Sequence, residues 1–271
     1  MHPILFRFPE AWPLIGDFPI RSFSVMVLIG VLVGAGWARR NLFRDQGDQA
    51  DAQFDALLWR CLVFGFIGAR LLYVTVHPEV LHGPLSLIAF WEGGLVSYGG
   101  FFGGAFGGLL FCRKFKLRYT AVSDVVLPSL CLGQVFGRIG CLLVGDDQGS
   151  PWDGPWAITF QAKPDSLIPP ELFGVPLHPS QIYLSLMNVA IFVITASVLR
   201  KRRFIGQTTT LVMMLYAVGR FSIEFTRGDD AARGIYGMFS TSQWASLFTV
   251  AVAAFWYRRL SQKAVAPEAT A

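Results

Sequence analysis

Arg70, Arg138 and Arg220 each fall inside a stretch apolar enough to cross a bilayer: CLVFGFIGARLLYVTV, VVLPSLCLGQVFGRIGCLLV and TLVMMLYAVGRFSIEF. A guanidinium keeps its proton, and placing one in hydrocarbon costs from about 3 to more than 10 kcal/mol. Such a side chain faces a polar cavity, meets an anion or snorkels to the interface. Its planar fork matches phosphate oxygens two at a time, and the abundant anion of a membrane is a lipid phosphate. Two such arginines could hold a phosphodiester and stabilise charge growing on a departing phosphate.

Other polar residues share faces with these arginines. Arg220, Glu224 and Arg227 are spaced i, i+4, i+7 on one helical face, with Arg220 about 9 Å inside the end of its span. Asp124, Cys131 and Arg138 recur every seven residues, and Gln134 lies one turn before Arg138. Tyr98 heads a ladder of Gly99, Gly100, Gly103, Gly104, Gly107 and Gly108. Tyr98, Arg138, Gly145, Asp146, His178, Gln181, Arg220 and Glu224 all reach the outer half of the membrane. Each feature has a plainer reading. Arg220 and Glu224 form a structural ion pair; the ladder is a close-packing device of the GxxxG kind; Arg70 snorkels or pairs. Asp124 is expected at the opposite end of its span from Arg138. The two outer arginines therefore have no matching pair of carboxylates, which favours an anion site.

The elements that position these groups are transmembrane helices. Only 15% of the 271 residues are charged and 53% are hydrophobic, against about 25% charged in soluble domains. We expect an all-α polytopic membrane protein, a single integral membrane domain over 1–271. Spans of about 20 apolar residues fall at 21–39, 56–76, 93–112, 120–141, 179–199, 207–226 and 241–257, the fourth interrupted by Pro128. The basic residues Arg39, Arg40, Arg44, Arg113, Lys114, Lys116, Arg118, Arg200 to Arg203, Arg258, Arg259 and Lys263 all lie on one side of these spans. Only Arg7, Arg21, Lys163, Arg227 and Arg233 lie on the other. The basic side is cytoplasmic, so the N-terminus is periplasmic and the C-terminus cytoplasmic. The loop 142–178 is then periplasmic, with Trp152 and Trp156 suited to the headgroup layer, and 259–271 is a cytoplasmic tail whose polar end is expected to be disordered. MHPILFRFPEAW lacks the charged and apolar regions of a cleavable signal peptide.

The net charge of +5 sits in short loops and does not imply nucleic acid. Cys61, Cys112, Cys131 and Cys141 form no CxxC and have no histidine at ligand spacing, which argues against a metal site or a disulfide framework. GxSxG, HExxH and P-loop motifs are missing, and no cofactor motif is seen. An attacking group would arrive on a second substrate.

GARLLY (68–73), GGLVSYGGFFGG (93–104), GRIGCLLVGDDQG (137–149), HPSQIY (178–183) and GRFSIEFTRGDD (219–230) resemble, in order, the motifs of the prolipoprotein diacylglyceryl transferase family. The resemblance runs from about residue 20 to 257. It implies a bacterial inner-membrane enzyme that moves a diacylglyceryl group from phosphatidylglycerol to the lipobox cysteine thiol of a prolipoprotein signal peptide, with glycerol-1-phosphate released. It implies Arg138, Arg220 and Tyr98 as catalytic residues. It places Arg70, Gly99, Gly100, Cys141, Gly145, Asp146, Gly149, His178, Gln181, Glu224 and Arg227 along the substrates, and an aspartate ahead of the signature at Asp124. Several positions depart from the pattern. Tyr98 stands where many members have histidine, Cys141 replaces an asparagine, Asp146 replaces a glutamate, Phe23 a tyrosine and Leu184 a glutamate. The proton acceptor is therefore open among His178, Asp146 and the departing phosphate. Two other readings remain open: a non-enzymatic lipid or anion transporter, and an inactive paralogue that binds lipoprotein precursors.

Overall fold

The computed structural model describes residues 2–9, 19–43, 49–81, 83, 94–229 and 234–265. Among these lie seven α-helices: α1 (Ser22–Leu42), α2 (Gln49–Val76), α3 (Ser97–Lys114), α4 (Tyr119–Val144), α5 (Ser180–Arg200), α6 (Gln207–Ile223) and α7 (Thr241–Val265). Each overlaps one of the sequence-predicted spans, with α2 beginning before its span and α7 running past the end of its own. Gly93, Arg44, Asp230 and Arg233 lie outside the described residues. Four helices, α1, α2, α4 and α5, are long and apolar enough to cross a membrane, and the protein is a helical membrane protein. At 17 residues, α6 is about 25 Å long, short of a hydrocarbon core of about 30 Å. Pro128 sits inside α4 without ending it. The last helix runs to Val265, so the first residues of the expected disordered tail are helical.

The chain forms two compact units, Ala38–Ser123 and Met1–Trp37 with Asp124–Ala271. In the first, α2 and α3 pack antiparallel through glycine. A Cβ on Gly99, Gly103 or Gly107 would collide with the carbonyl oxygens of Gly68, Phe64 and Arg60 respectively. The ladder is thus a close-approach surface, used because hydrocarbon gives apolar helices no reason to associate except backbone proximity and van der Waals contact. Gly104 differs, since its Cβ would meet only the Cys61 oxygen at 3.5 Å. We expect Gly103→Val to collapse the monodisperse gel-filtration peak of the purified protein and Gly104→Ala to leave it intact.

In the second unit α1 and α4 cross at Gly30 and Gly133, and a Cβ on Gly34 would sit 2.7 Å from the Ser129 oxygen. Cys131, Ile191 and Val212 form a core with Leu127, Met187, Phe192, Leu215 and Tyr216. Beyond α4, β1 (Ile158–Thr159) pairs antiparallel with β2 (Pro176–Leu177). Phe160, Ile168 and Leu177 bury against Leu142, Ile158, Leu172, Phe173 and Val175. This small lobe pins the end of α4, where the Leu167 N–H donates to the Val144 oxygen at 2.9 Å. The hairpin of β3 (Ile235–Tyr236) and β4 (Phe239–Ser240) leads into α7.

Candidate functional site

Arg138 lies in the last two turns of α4, and the chain turns sharply just beyond it. Gly145 takes φ +81° and Asp147 φ +55°, a left-handed conformation uncommon outside glycine. The turn is tied down from two sides. The Gln181 amide donates to the Asp146 oxygen and the Ser180 hydroxyl to the Asp147 oxygen, both at 2.7 Å; Ser180 and Gln181 are buried at the start of α5. Gly149 bridges antiparallel to Arg227, with Gly228 N–H donating to the Gln148 oxygen at 3.1 Å and Ser150 N–H to the Thr226 oxygen at 2.9 Å. Side chains are excluded at the crossing: a Cβ on Gly149 would strike the His178 oxygen, and one on Gly228 would lie 2.7 Å from the Gly149 oxygen.

This bracing brings Arg138 and Arg227 onto one carboxylate. Arg138 pairs with Asp147 Oδ2 and Arg227 with Asp147 Oδ1. Arg227 also chelates Asp229, with its Nε 2.8 Å from Oδ1 and Nη2 on Oδ2. Burial opposes ionisation of Asp147, but Arg138 and Arg227, joined by Arg220 at longer range, hold its carboxyl below the ordinary value. Arg220 therefore belongs to the same electrostatic cluster. It pairs with Glu224 one turn on and donates to the Ser242 hydroxyl at 3.2 Å. Glu224 is fully buried and also bonded by Ser240. Ser240 and Gln243 form a reciprocal capping box at the head of α7, N–H to Oε1 at 2.9 Å and N–H to Oγ at 3.2 Å.

The expectation that the outer arginines lack matching carboxylates is corrected by this geometry. Asp147 and Glu224 neutralise Arg138 and Arg220, and Asp229 neutralises Arg227. The arginines are not sealed, however: their side chains keep 21% and 13% exposure. Two adjacent aspartates also take different parts. Asp146 is exposed and turns its carboxylate onto the Asp147 N–H at 2.9 Å, so Asp147 is the group on the arginines. Cys141 places its Sγ 3.7 Å from Asp147 Oδ2. Cys141, Asp146 and Asp147 come close enough to hold a cation, but two guanidiniums already occupy the Asp147 oxygens.

The sequence pattern of prolipoprotein diacylglyceryl transferase matches residues 9–258. The chain belongs to the prolipoprotein diacylglyceryl transferase family. It is 35% identical over 84% of its length to phosphatidylglycerol–prolipoprotein diacylglyceryl transferase 2 of Clostridium perfringens, covering 86% of that protein. It is 33% identical to the transferase of Clostridium tetani, over 94% of this chain and 96% of the relative. With the transferase of Proteus mirabilis it shares 32% identity over 89% of each chain.

Of the residues that the diacylglyceryl transferase motifs single out, Arg138, Cys141, Gly145, Asp146, Gly149, His178, Gln181, Arg220, Glu224 and Arg227 lie in the second unit. His178 stacks flat on Trp152, ring centres 4.3 Å apart at 9°. Its Nδ1 lies 3.4 Å from the Tyr183 hydroxyl, which accepts from Trp156 Nε1 at 2.7 Å. The ring is thus fixed in an aromatic wall. Arg70, Tyr98, Gly99 and Gly100 lie in the α2–α3 unit. Arg70 is buried, donates to the Gly94 oxygen at 3.3 Å and faces the Tyr73 ring at 5.4 Å. Tyr98 is exposed in the first turn of α3, and Gly99 is occupied by helix packing. Asp124, expected far from Arg138, caps the start of α6. Sequence reasoning missed Asp147, Asp229, Ser180, Ser240 and Ser242. The Ser240–Gln243 spacing carries a readable capping-box signature, and both aspartates stand within motifs already singled out.

Proposed function

We propose that this chain transfers the diacylglyceryl group of phosphatidylglycerol to the lipobox cysteine of a prolipoprotein signal peptide at the outer face of a bacterial inner membrane. It crosses that membrane seven times, N-terminus periplasmic. The observation that carries the reading is the convergence of Arg138, Arg220 and Arg227 around one loop at the end of α4, in a member of this family. The lipid enters sideways, so both substrates keep their apolar parts in the bilayer. Arg138, Arg220 and Arg227 take the phosphate between them. The peptide sulfur attacks the glyceryl carbon; a carbon–sulfur bond forms, the carbon–oxygen bond breaks, and the electron pair stays on the phosphate oxygen. The leaving glycerol phosphate gains a charge that the guanidiniums stabilise and can take up the thiol proton, since a phosphate monoester titrates near pH 6. Glu224, Ser240 and Ser242 orient Arg220, and the Ser180–Gln181 clamp orients the loop.

The test is purified full-length protein in phosphatidylglycerol liposomes with a lipobox peptide. The expected result is release of glycerol phosphate in step with a diacylglyceryl mass gain on the peptide. An unmodified peptide overturns the reading; lipid movement without glycerol phosphate release marks a transporter.

A further inference from the structure

We propose that Asp147 is a specificity-determining residue of this site: its carboxylate stands in the position of the substrate phosphate while the site is empty, and withdraws when the lipid binds. The inference rests on the transferase reading above. It follows from charge balance. Among the described residues the cluster holds three guanidiniums, Arg138, Arg220 and Arg227, already met by three carboxylates, Asp147, Glu224 and Asp229. A phosphodiester added to this arrangement is an excess anion in a partly buried site, where like charges repel strongly. One carboxylate has to give way.

Two of the three are held locally. Glu224 is fully buried, lies one turn from its arginine and is bonded by Ser240. Asp229 is two residues from Arg227 and grips it through both oxygens. Asp147 is different. It stands on a loop, keeps 21% exposure, and spans arginines that are far apart in sequence, one on α4 and one beyond α6. Its two oxygens go to two separate guanidiniums, as two phosphate oxygens would. The backbone is pinned by Ser180 and Gln181 at the carbonyls of Asp147 and Asp146. The side chain is held by the arginines and by the weak Cys141 contact. Withdrawal therefore needs a side-chain rotation and leaves the loop in place.

The sequel is also fixed by the pairing. Arg227 keeps Asp229 when Asp147 leaves. The ion pair of Arg138 among the described residues is with Asp147, so Arg138 becomes the cation that requires the incoming phosphate. The carboxylate is ionised at neutral pH and competes as a full anion. Small anions such as inorganic phosphate must displace it on charge alone, whereas a lipid adds the binding of its acyl chains. Asp147 thus biases the site towards lipid-borne phosphate.

The experiment measures binding of sn-glycerol-1-phosphate, by calorimetry, to the full-length detergent-solubilised protein and to Asp147→Asn and Asp147→Ser. We expect both variants to bind it at least tenfold more tightly than the wild type. Unchanged or weaker binding in both overturns the proposal. A second readout needs no variant. In wild-type protein labelled with ¹³C-aspartate, saturating glycerol phosphate shifts an aspartate carboxylate band from an ion-paired to a hydrated frequency in the infrared difference spectrum. No shift overturns it. If the wild type modifies the lipobox peptide and Asp147→Asn binds no tighter, the placeholder is wrong and the transferase reading stands. If the wild type leaves the peptide unmodified, the transferase reading fails, and with it the assignment of the substrate.

Discussion

Arg138→Ala and Arg220→Ala each reduce transfer to a lipobox peptide by about a thousandfold or more, measured as product per enzyme in phosphatidylglycerol liposomes. The magnitude follows from what one preorganised donor to a developing oxyanion is worth, roughly 10²–10³ in rate, with the loss of ground-state phosphate binding added. Alanine also leaves a carboxylate without its cation. Asp147 keeps Arg227 when Arg138 is removed, whereas Glu224, fully buried, loses its ion pair when Arg220 is removed. Arg220→Ala is accordingly the less stable of the two proteins. Lysine separates charge from geometry. It restores the positive charge but cannot offer two parallel N–H bonds, whereas Arg220 reaches Glu224 and Ser242 through two separate nitrogens, Nη1 and Nη2. Arg220→Lys therefore stays within tenfold of the alanine variant. Wild-type rates in both alanine variants would remove the arginines from the mechanism, and full activity in Arg220→Lys would remove the fork.

How far the site could be read in advance depended on whether a residue's role was local. The i, i+4, i+7 spacing of Arg220, Glu224 and Arg227 follows from helical periodicity, and the Arg220–Glu224 pair forms as that spacing requires. The glycine ladder was legible as packing for the same reason, since four-residue spacing lines small residues along one side of α3. Asp146 and Asp147 were not separable. Which of two neighbouring aspartates faces the arginines is decided by the left-handed turn at Gly145 and Asp147 and by the hold of Ser180 and Gln181 on it, 33 and 35 residues away. No sequence period encodes that turn. The same limit applies to charge balance. Asp229 meets Arg227 within a turn, and Asp147 meets it across 80 residues, so the count of carboxylates facing the outer arginines emerges only from the folded chain.

Asp124 shows how such a distant contact supports the site. Placed by its depth at the far end of α4 from Arg138, it is fully buried yet far from bare. Its carboxylate accepts from the N–H of Gly206 and from the N–H and hydroxyl of Thr209, each at 2.8 Å, and from Arg202 at 3.3 Å. Gly206 is the N-cap of α6, at φ +95°, and supplies no side chain of its own. Asp124 is therefore the missing cap, delivered by another helix, and its negative charge lies at the positive end of the α6 dipole. Asp124→Ala removes a cap worth about 0.5–2 kcal/mol and strands the buried Gly206 N–H at a further cost of about 1–3 kcal/mol. The total of about 2–5 kcal/mol corresponds to a drop of roughly 10 °C in melting temperature. Asp124→Asn keeps one acceptor oxygen but gives up the charge, so it loses about half as much. Because α6 carries Arg220 at its other end, the defect reaches the chemistry through helix position rather than through contact with substrate. Activity of Asp124→Ala should therefore recover substantially when transfer is assayed well below its melting temperature, a recovery that Arg138→Ala cannot show. Equal, temperature-independent loss in the two variants would mean that Asp124 acts on the reaction directly.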